Sequence, residues 1–276
     1  MNILICGLGL IGASLAKALK KNTNHTVLGW NRTASVTEKA LRDGVIDRTG
    51  RVEDLMKEAD VTFVNFYPEA IVPFILEHRD SFKVDSIVTD SCGIKTKIMT
   101  AMGAEKLPFY FIGAHPMAGR EVSGYDNSLD NLYDNASFIC TPSEGTPRVK
   151  TDALVGLAQQ MGFARTVVTT PEHHDEMIAF TSQIAHVLAC SYVLSPLAPM
   201  HAGYSAGSYR DVSRVARINA EMWTQLFLDN ADNLVREIDT LMENLAQYRK
   251  AIAEGDRGTL IKLLDEGRNR KEEVDG

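Results

Sequence analysis

The sequence predicts an α/β protein: a parallel sheet with helices on both faces, followed by an all-helical half. Three observations carry this. Short apolar runs alternate with helical patterns up to about Val168, as in a sheet whose strands are joined by crossover helices. A glycine turn, Gly7-Leu8-Gly9-Leu10-Ile11-Gly12, directly follows the first apolar run. Beyond Thr170 only helical periodicity remains. These features divide the chain into domains 1–169 and 170–276.

The expected strands are Asn2–Cys6, Thr26–Trp30, Val61–Asn65, Ser86–Thr89, Tyr110–Gly113, Ser137–Cys140 and Arg165–Val168. Helical patterns fill the gaps at Ile11–Lys21, Ser35–Asp43, Val52–Glu58, Glu69–Arg79, Lys95–Met102 and Pro147–Met161. Thr170-Pro171-Glu172 reads as N-cap, proline at the first helical position and an acid in the first turn. One long apolar helix is expected from there to Leu194, ended by Pro196 and Pro199. From Val212 to Glu254 there is neither Gly nor Pro, and apolar residues recur close to every 3.6 positions. So long an apolar stretch exceeds what one short domain covers, which predicts an intimate homodimer through the helical halves.

Composition narrows the function. Lys plus Arg total 29 against 36 Asp plus Glu, a net charge of −7. An acidic chain without a Lys/Arg run is a poor match for nucleic acid. No apolar stretch reaches the ~18 residues that span a bilayer. The opening Met1-Asn2-Ile3-Leu4-Ile5 lacks a basic segment and reads as a buried strand, not a signal peptide. Cys6, Cys92, Cys140 and Cys190 lie far apart, with neither metal spacing nor a disulfide framework. A cytoplasmic protein without a bound metal is the expectation.

The glycine turn points to a dinucleotide-binding, Rossmann-type first domain. Gly7 permits the tight turn, Gly9 lets a pyrophosphate approach the backbone, and Gly12 lets helix and strand pack closely. Leu10 and Ile11 open the helix whose N-terminus faces the phosphates. An acid is expected at the end of the second strand to hold the ribose 2′-hydroxyl, yet Asn31, Arg32 and Thr33 stand there. An arginine pairs with a 2′-phosphate that an acid would repel. NADP is therefore the expected cofactor, with NAD as the alternative. The competing reading leaves Arg32 solvated or stacked on the adenine. Tyr67, past the third strand, and Cys92, past the fourth, complete the cofactor-side candidates.

Three further groups carry chemistry. His115 ends a late strand within Gly113-Ala114-His115-Pro116-Met117-Ala118-Gly119-Arg120-Glu121. A neutral imidazole there can take a proton from an alcohol while hydride leaves to a nicotinamide; the plainer reading is a structural turn residue. Gln183 and His186 share one face of an apolar helix, either in a substrate pocket or hydrogen-bonded across a helix interface. Arg210 and Arg214, in Tyr209-Arg210-Asp211-Val212-Ser213-Arg214-Val215-Ala216, suit a carboxylate, or else form a surface Arg–Asp network.

The glycine turn, the Ala114-to-Gly124 segment, Thr181-Ser182…His186, and Tyr209-Arg210-Asp211…Arg214-Val215-Ala216…Met222-Trp223 occur in this order. Together they make the whole chain resemble the prephenate/arogenate dehydrogenase family. The resemblance implies a Rossmann domain, a helical domain that dimerises, and an active site between them. It implies an NAD(P)-dependent oxidative decarboxylation of prephenate or arogenate, giving 4-hydroxyphenylpyruvate or tyrosine. His115 would be the proton acceptor, Arg214 would hold a substrate carboxylate, and His186 and Trp223 would line the pocket. Two positions depart from the family pattern. Gly93 stands where the family usually has a serine, and Gln183 replaces the first of two histidines. A related two-domain hydroxyacid dehydrogenase and a catalytically silent nucleotide sensor are the competing readings. The first would rely on a lysine in the helical half, where Gln183 and His186 stand instead. His115 and Arg214 argue against the second.

Overall fold

The computed structural model describes residues 1–275. Its first half runs β1 (Asn2–Cys6), α1 (Leu10–Asn22), β2 (Thr26–Trp30), α2 (Ala34–Arg42), α3 (Val52–Glu58), β3 (Val61–Val64) and α4 (Pro68–Glu77). It continues through β4 (Ile87–Asp90), α5 (Thr96–Gly103), β5 (Tyr110–Pro116), β6 (Ser137–Pro142), α6 (Arg148–Gln160) and β7 (Arg165–Val168). The seven strands form one sheet in the order β2-β1-β3-β4-β5-β6-β7. The chain crosses over beside β1, with β2 on one side and β3 on the other. The carboxyl ends of β1 and β3 therefore flank the crevice where sheets of this kind bind ligands.

Alternation along each strand divides the core. Ile3 and Ile5 face one layer with Leu15, Leu19 and Phe138. Leu4 and Cys6 face the other with Val64, Ile71, Ile75 and Met99. Both layers are closed by helices, and each fully buried Leu or Ile contributes about 1.5–3 kcal/mol. The expected all-parallel sheet is corrected at one edge, where β6 runs antiparallel to β5. The connection between them carries a single 3-10 turn, Tyr125–Asn127, in place of a crossover helix, so the chain returns beside β5. The helix α6 then restores the parallel sense between β6 and β7.

The later half is helical, as expected, but in shorter pieces. Thr170 caps α7 (Pro171–Ile178), its hydroxyl accepting from His173 N. The helix to Leu194 is not continuous: a π-helical turn, Ala179–Gln183, separates α7 from α8 (Ile184–Val193). Next come α9 (Gly207–Ser213), a 3-10 turn at Arg214–Ala216, and α10 (Ala220–Leu228). Asn219 caps α10 by accepting from Met222 N. A side-chain cap thus breaks the Gly- and Pro-free stretch where no helix breaker stands. Met1–Asn230 form one compact unit.

A second unit begins at Ala231. There α11 (Ala231–Glu254) and α12 (Arg257–Asp275) form a hairpin turned at Gly255, whose φ is +67°. Tyr248 donates to the Leu263 carbonyl across it. Val235, Met242, Leu245 and Ile252 on α11 are exposed. Among the described residues no helix is long and apolar enough to cross a membrane.

Candidate active site

The glycine turn has the geometry its sequence promises. Gly7 has φ +88°, and a Cβ there would stand 2.5 Å from the Asn65 carbonyl oxygen. A Cβ on Gly12 would stand 1.9 Å from the Gly7 carbonyl oxygen. Neither position admits a side chain. Gly9 differs, since a Cβ there would meet nothing within 4 Å. Its open face lies at the start of α1, where Leu10 and Ile11 present helix N-terminal amides. Beside the turn, Asn65 donates to the Cys6 and Phe63 carbonyls, while its buried Oδ1 has no partner. A turn stripped of side chains, a helix N-terminus and an unused acceptor fit a dinucleotide.

At the end of β2, Asn31 serves the turn itself: its Oδ1 accepts from Leu8 N at 3.0 Å. Arg32 and Thr33 are exposed, and Thr33 makes no side-chain cap to α2. Tyr67 is exposed at the start of α4. Cys92 is buried, and burial pushes its thiol up to about 11, so the thiol stays protonated near neutral pH.

His115 sits near the carboxyl end of β5, as expected. Its Nδ1 lies 2.9 Å from His174 Nε2 on α7. His174 Nδ1 lies 2.7 Å from Asp175 Oδ1. Asp175 also accepts from the backbone amides of Lys95 at 2.7 Å and Thr96 at 2.8 Å. Burial, reinforced by His174 and Lys95, holds the His115 imidazole well below the usual histidine range. Burial also lowers His174 against the pull of Asp175. Asp175 is itself buried, but hydrogen bonds from His174, Thr96 and Lys95 keep it below the usual carboxylate range. Behind His115, Asp90 accepts from Ala114 N and Cys92 N and pairs with the fully buried Lys95 ammonium. Removing one partner of such a pair costs about 3–5 kcal/mol, so the pair anchors the turn after β4 against β5.

On the helical side, His186 Nδ1 lies 2.8 Å from the Val215 carbonyl and its ring lies 3.8 Å from that of Trp223. Leu226, one turn beyond Trp223 on α10, stands over Gly93 beside His115. Arg214 pairs with Glu121 at 2.5 Å, linking the segment after β5 to the turn after α9. One expectation is corrected. Gln183 is buried, donates to the Leu226 carbonyl and accepts from Asn230, so its amide holds helices together and is not presented to a substrate. Arg210 is exposed, its Nε 3.5 Å from a carboxylate oxygen of neighbouring Asp211.

Sequence reasoning alone missed His174, Asp175, Asp90, Lys95 and Asn65. Two signals were available. His174-Asp175 lies within five residues of a recognised N-cap, and Asp90 ends a buried strand with Lys95 close behind it.

Residues 15–168 match the family model "Prephenate dehydrogenase, nucleotide-binding domain", and residues 170–266 match "Prephenate dehydrogenase, dimerization domain". The chain is 30% identical over 283 aligned positions to the cyclohexadienyl dehydrogenase of Zymomonas mobilis, covering 98% of this chain and 94% of the relative. It superposes on Synechocystis arogenate dehydrogenase with a TM-score of 0.85 at 26% identity, covering 99% and 100% of the two chains. The Aquifex aeolicus prephenate dehydrogenase, solved with hydroxyphenyl propionate and NAD+, gives a TM-score of 0.86 at 26% identity over 99% and 98%. With both halves matched in order, the chain belongs to the prephenate dehydrogenase family.

Proposed function

We propose that the chain catalyses the NAD(P)+-dependent oxidative decarboxylation of prephenate or arogenate. One observation carries the reading: His115 stands at the carboxyl edge of the sheet with its Nδ1 engaged by His174, leaving Nε2 for a substrate. The glycine turn and α1 would hold the pyrophosphate, with Arg32 and Thr33 at the adenosine ribose. We favour NADP+ over NAD+ because an exposed arginine, not an acid, ends β2. The bound nicotinamide supplies the hydride acceptor. His115 takes the proton of the substrate hydroxyl as hydride departs, and loss of CO2 leaves an aromatic ring. Arg214, extending from the turn after α9, is the candidate partner of a substrate carboxylate. His186 and Trp223 form one wall.

The division at 169/170 separates cofactor chemistry from assembly, and the limits of the two family matches support it. A homodimer follows from the dimerization-domain match, and the exposed apolar side chains of α11 offer it a face. Four free thiols suit a reducing cytoplasm. The deciding experiment mixes purified protein with prephenate or arogenate and either NADP+ or NAD+. Reduced cofactor forming together with CO2 is the expected result. No reduction with either substrate would remove the reading.

A further inference from the structure

We propose that His174 and Asp175 are positioning residues that fix the tautomer of His115, leaving its Nε2 as the bare proton acceptor. The assignment comes from counting hydrogens. The Asp175 carboxylate only accepts. Its Oδ1 takes the Lys95 amide and His174 Nδ1, and its Oδ2 takes the Thr96 amide. His174 Nδ1 therefore carries a hydrogen. A neutral imidazole has one such hydrogen, so His174 Nε2 is a lone pair. His115 Nδ1 faces that lone pair at 2.9 Å and must donate to it. A neutral His115 then has no hydrogen on Nε2.

The surroundings leave this task to His174. Asp90 at the end of β4 and Lys95 just before α5 are closed on each other as a buried ion pair, with the Lys95 charge felt at His115. From α10, apolar Leu226 stands beside Gly93 on the Nε2 side. Gly93 supplies no side chain to steady the Nε2 side. Among the described residues, His174 is the hydrogen-bond partner that holds the His115 ring. When His115 takes a proton, its Nδ1–H keeps donating to His174, and Asp175 stands one imidazole away to balance the charge. No proton need leave His174 for this to operate, in line with the orienting role of the acid in a catalytic triad.

The test pairs spectroscopy with kinetics, and only the kinetics rest on the proposed function. In 15N-histidine-labelled protein, assigned by loss of signals in His115→Asn, His115 should be protonated at Nδ1 and bare at Nε2 near neutral pH. Asp175→Leu removes the acceptor of the His174 Nδ1–H and should leave both rings as mixtures of their two tautomers. His174→Leu should lower kcat by about 10²–10³-fold, with KM for substrate and cofactor little changed. His174→Gln still offers a carbonyl to His115 and an amide to Asp175, and should keep kcat within about tenfold of the parent. A wild-type His115 protonated at Nε2 would overturn the proposal. So would His174→Gln and His174→Leu being equally impaired. The expected tautomer in a protein inactive on both substrates would support the positioning and sink the activity reading.

Discussion

A side chain at Gly93 would touch His115: its Cβ would stand 3.8 Å from the imidazole Nε2 and 3.7 Å from Leu226 Cδ2. These are ordinary contact distances, so the fold has room for one methyl and little more. Gly93→Ala should fold normally and keep kcat/KM within about tenfold. Gly93→Val adds branches beside the His115 face proposed to receive the substrate hydroxyl, and misplacement of this kind costs about 10²-fold. Steady-state kinetics alongside thermal melts check this; a Gly93→Val enzyme with parental kcat/KM would place the substrate on another side of His115.

Arg214 already holds an acid, Glu121, and is largely exposed. A bond from it to a substrate carboxylate, as proposed, would be worth the usual ~1.5–3 kcal/mol of a charged hydrogen bond, about 10–150-fold in affinity. Arg214→Ala should raise KM for substrate by that factor and leave kcat nearly unchanged. Arg210→Ala should change neither. A reversal between the two variants would move the anion site one turn back along α9.

Arg32→Ala tests the cofactor reading. It should weaken NADP+ by ~1.5–3 kcal/mol and scarcely affect NAD+, as measured by fluorescence titration of each nucleotide. Equal losses would mean that Arg32 stacks on the adenine both cofactors share.

Acid should weaken both stability and activity. His115 and His174 are lowered in the folded chain, mainly by burial, whereas an unfolded histidine titrates near about 6.5. Between those values the unfolded chain binds more protons, so stability rises with pH. The contribution is complete above about 6.5 and is lost as pH falls from there through the folded values, at up to ~1.4 kcal/mol per pH unit for each imidazole. Melting temperatures should be level above about pH 7 and fall toward about pH 5, and kcat/KM should fall at acid pH with its midpoint below the ordinary histidine value. A profile flat across that range would contradict the buried neutral pair.

The exposed Val235, Met242, Leu245 and Ile252 on α11 call for a partner. Sedimentation at micromolar concentration should show a dimer, and an interface of the obligate class buries ~2,000 Å² or more. Met242→Glu and Leu245→Glu together should shift the mass toward the monomer. A wild-type chain that sediments as a monomer throughout would reject the homodimer.

Much of the site was legible because it is local. Gly7, Gly9 and Gly12 are read from a turn of six residues, and His115 from its place at a strand end. Arg210 and Arg214 show the limit of such reading. Both belong to one motif, but α9 ends at Ser213 and becomes a 3-10 turn at Arg214, and only Arg214 meets Glu121. Gln183 closes a π-helical turn, whose wider winding shifts the phase of α8, and periodicity alone placed it with His186.

The sequence by itself determined the alternation of strand and helix, the glycine turn, the capped start of α7 and the place of His115 at a strand end, because each depends on neighbouring residues. The tertiary structure alone decided that β6 turns back beside β5 and that Gln183 serves the helix interface. It also decided that His174 and Asp175 stand behind His115. His115 and His174 are 59 positions apart, and no periodicity encodes that separation. Their meeting depends on α7 packing at the carboxyl edge of the sheet, where the Lys95 and Thr96 amides fix Asp175 in place.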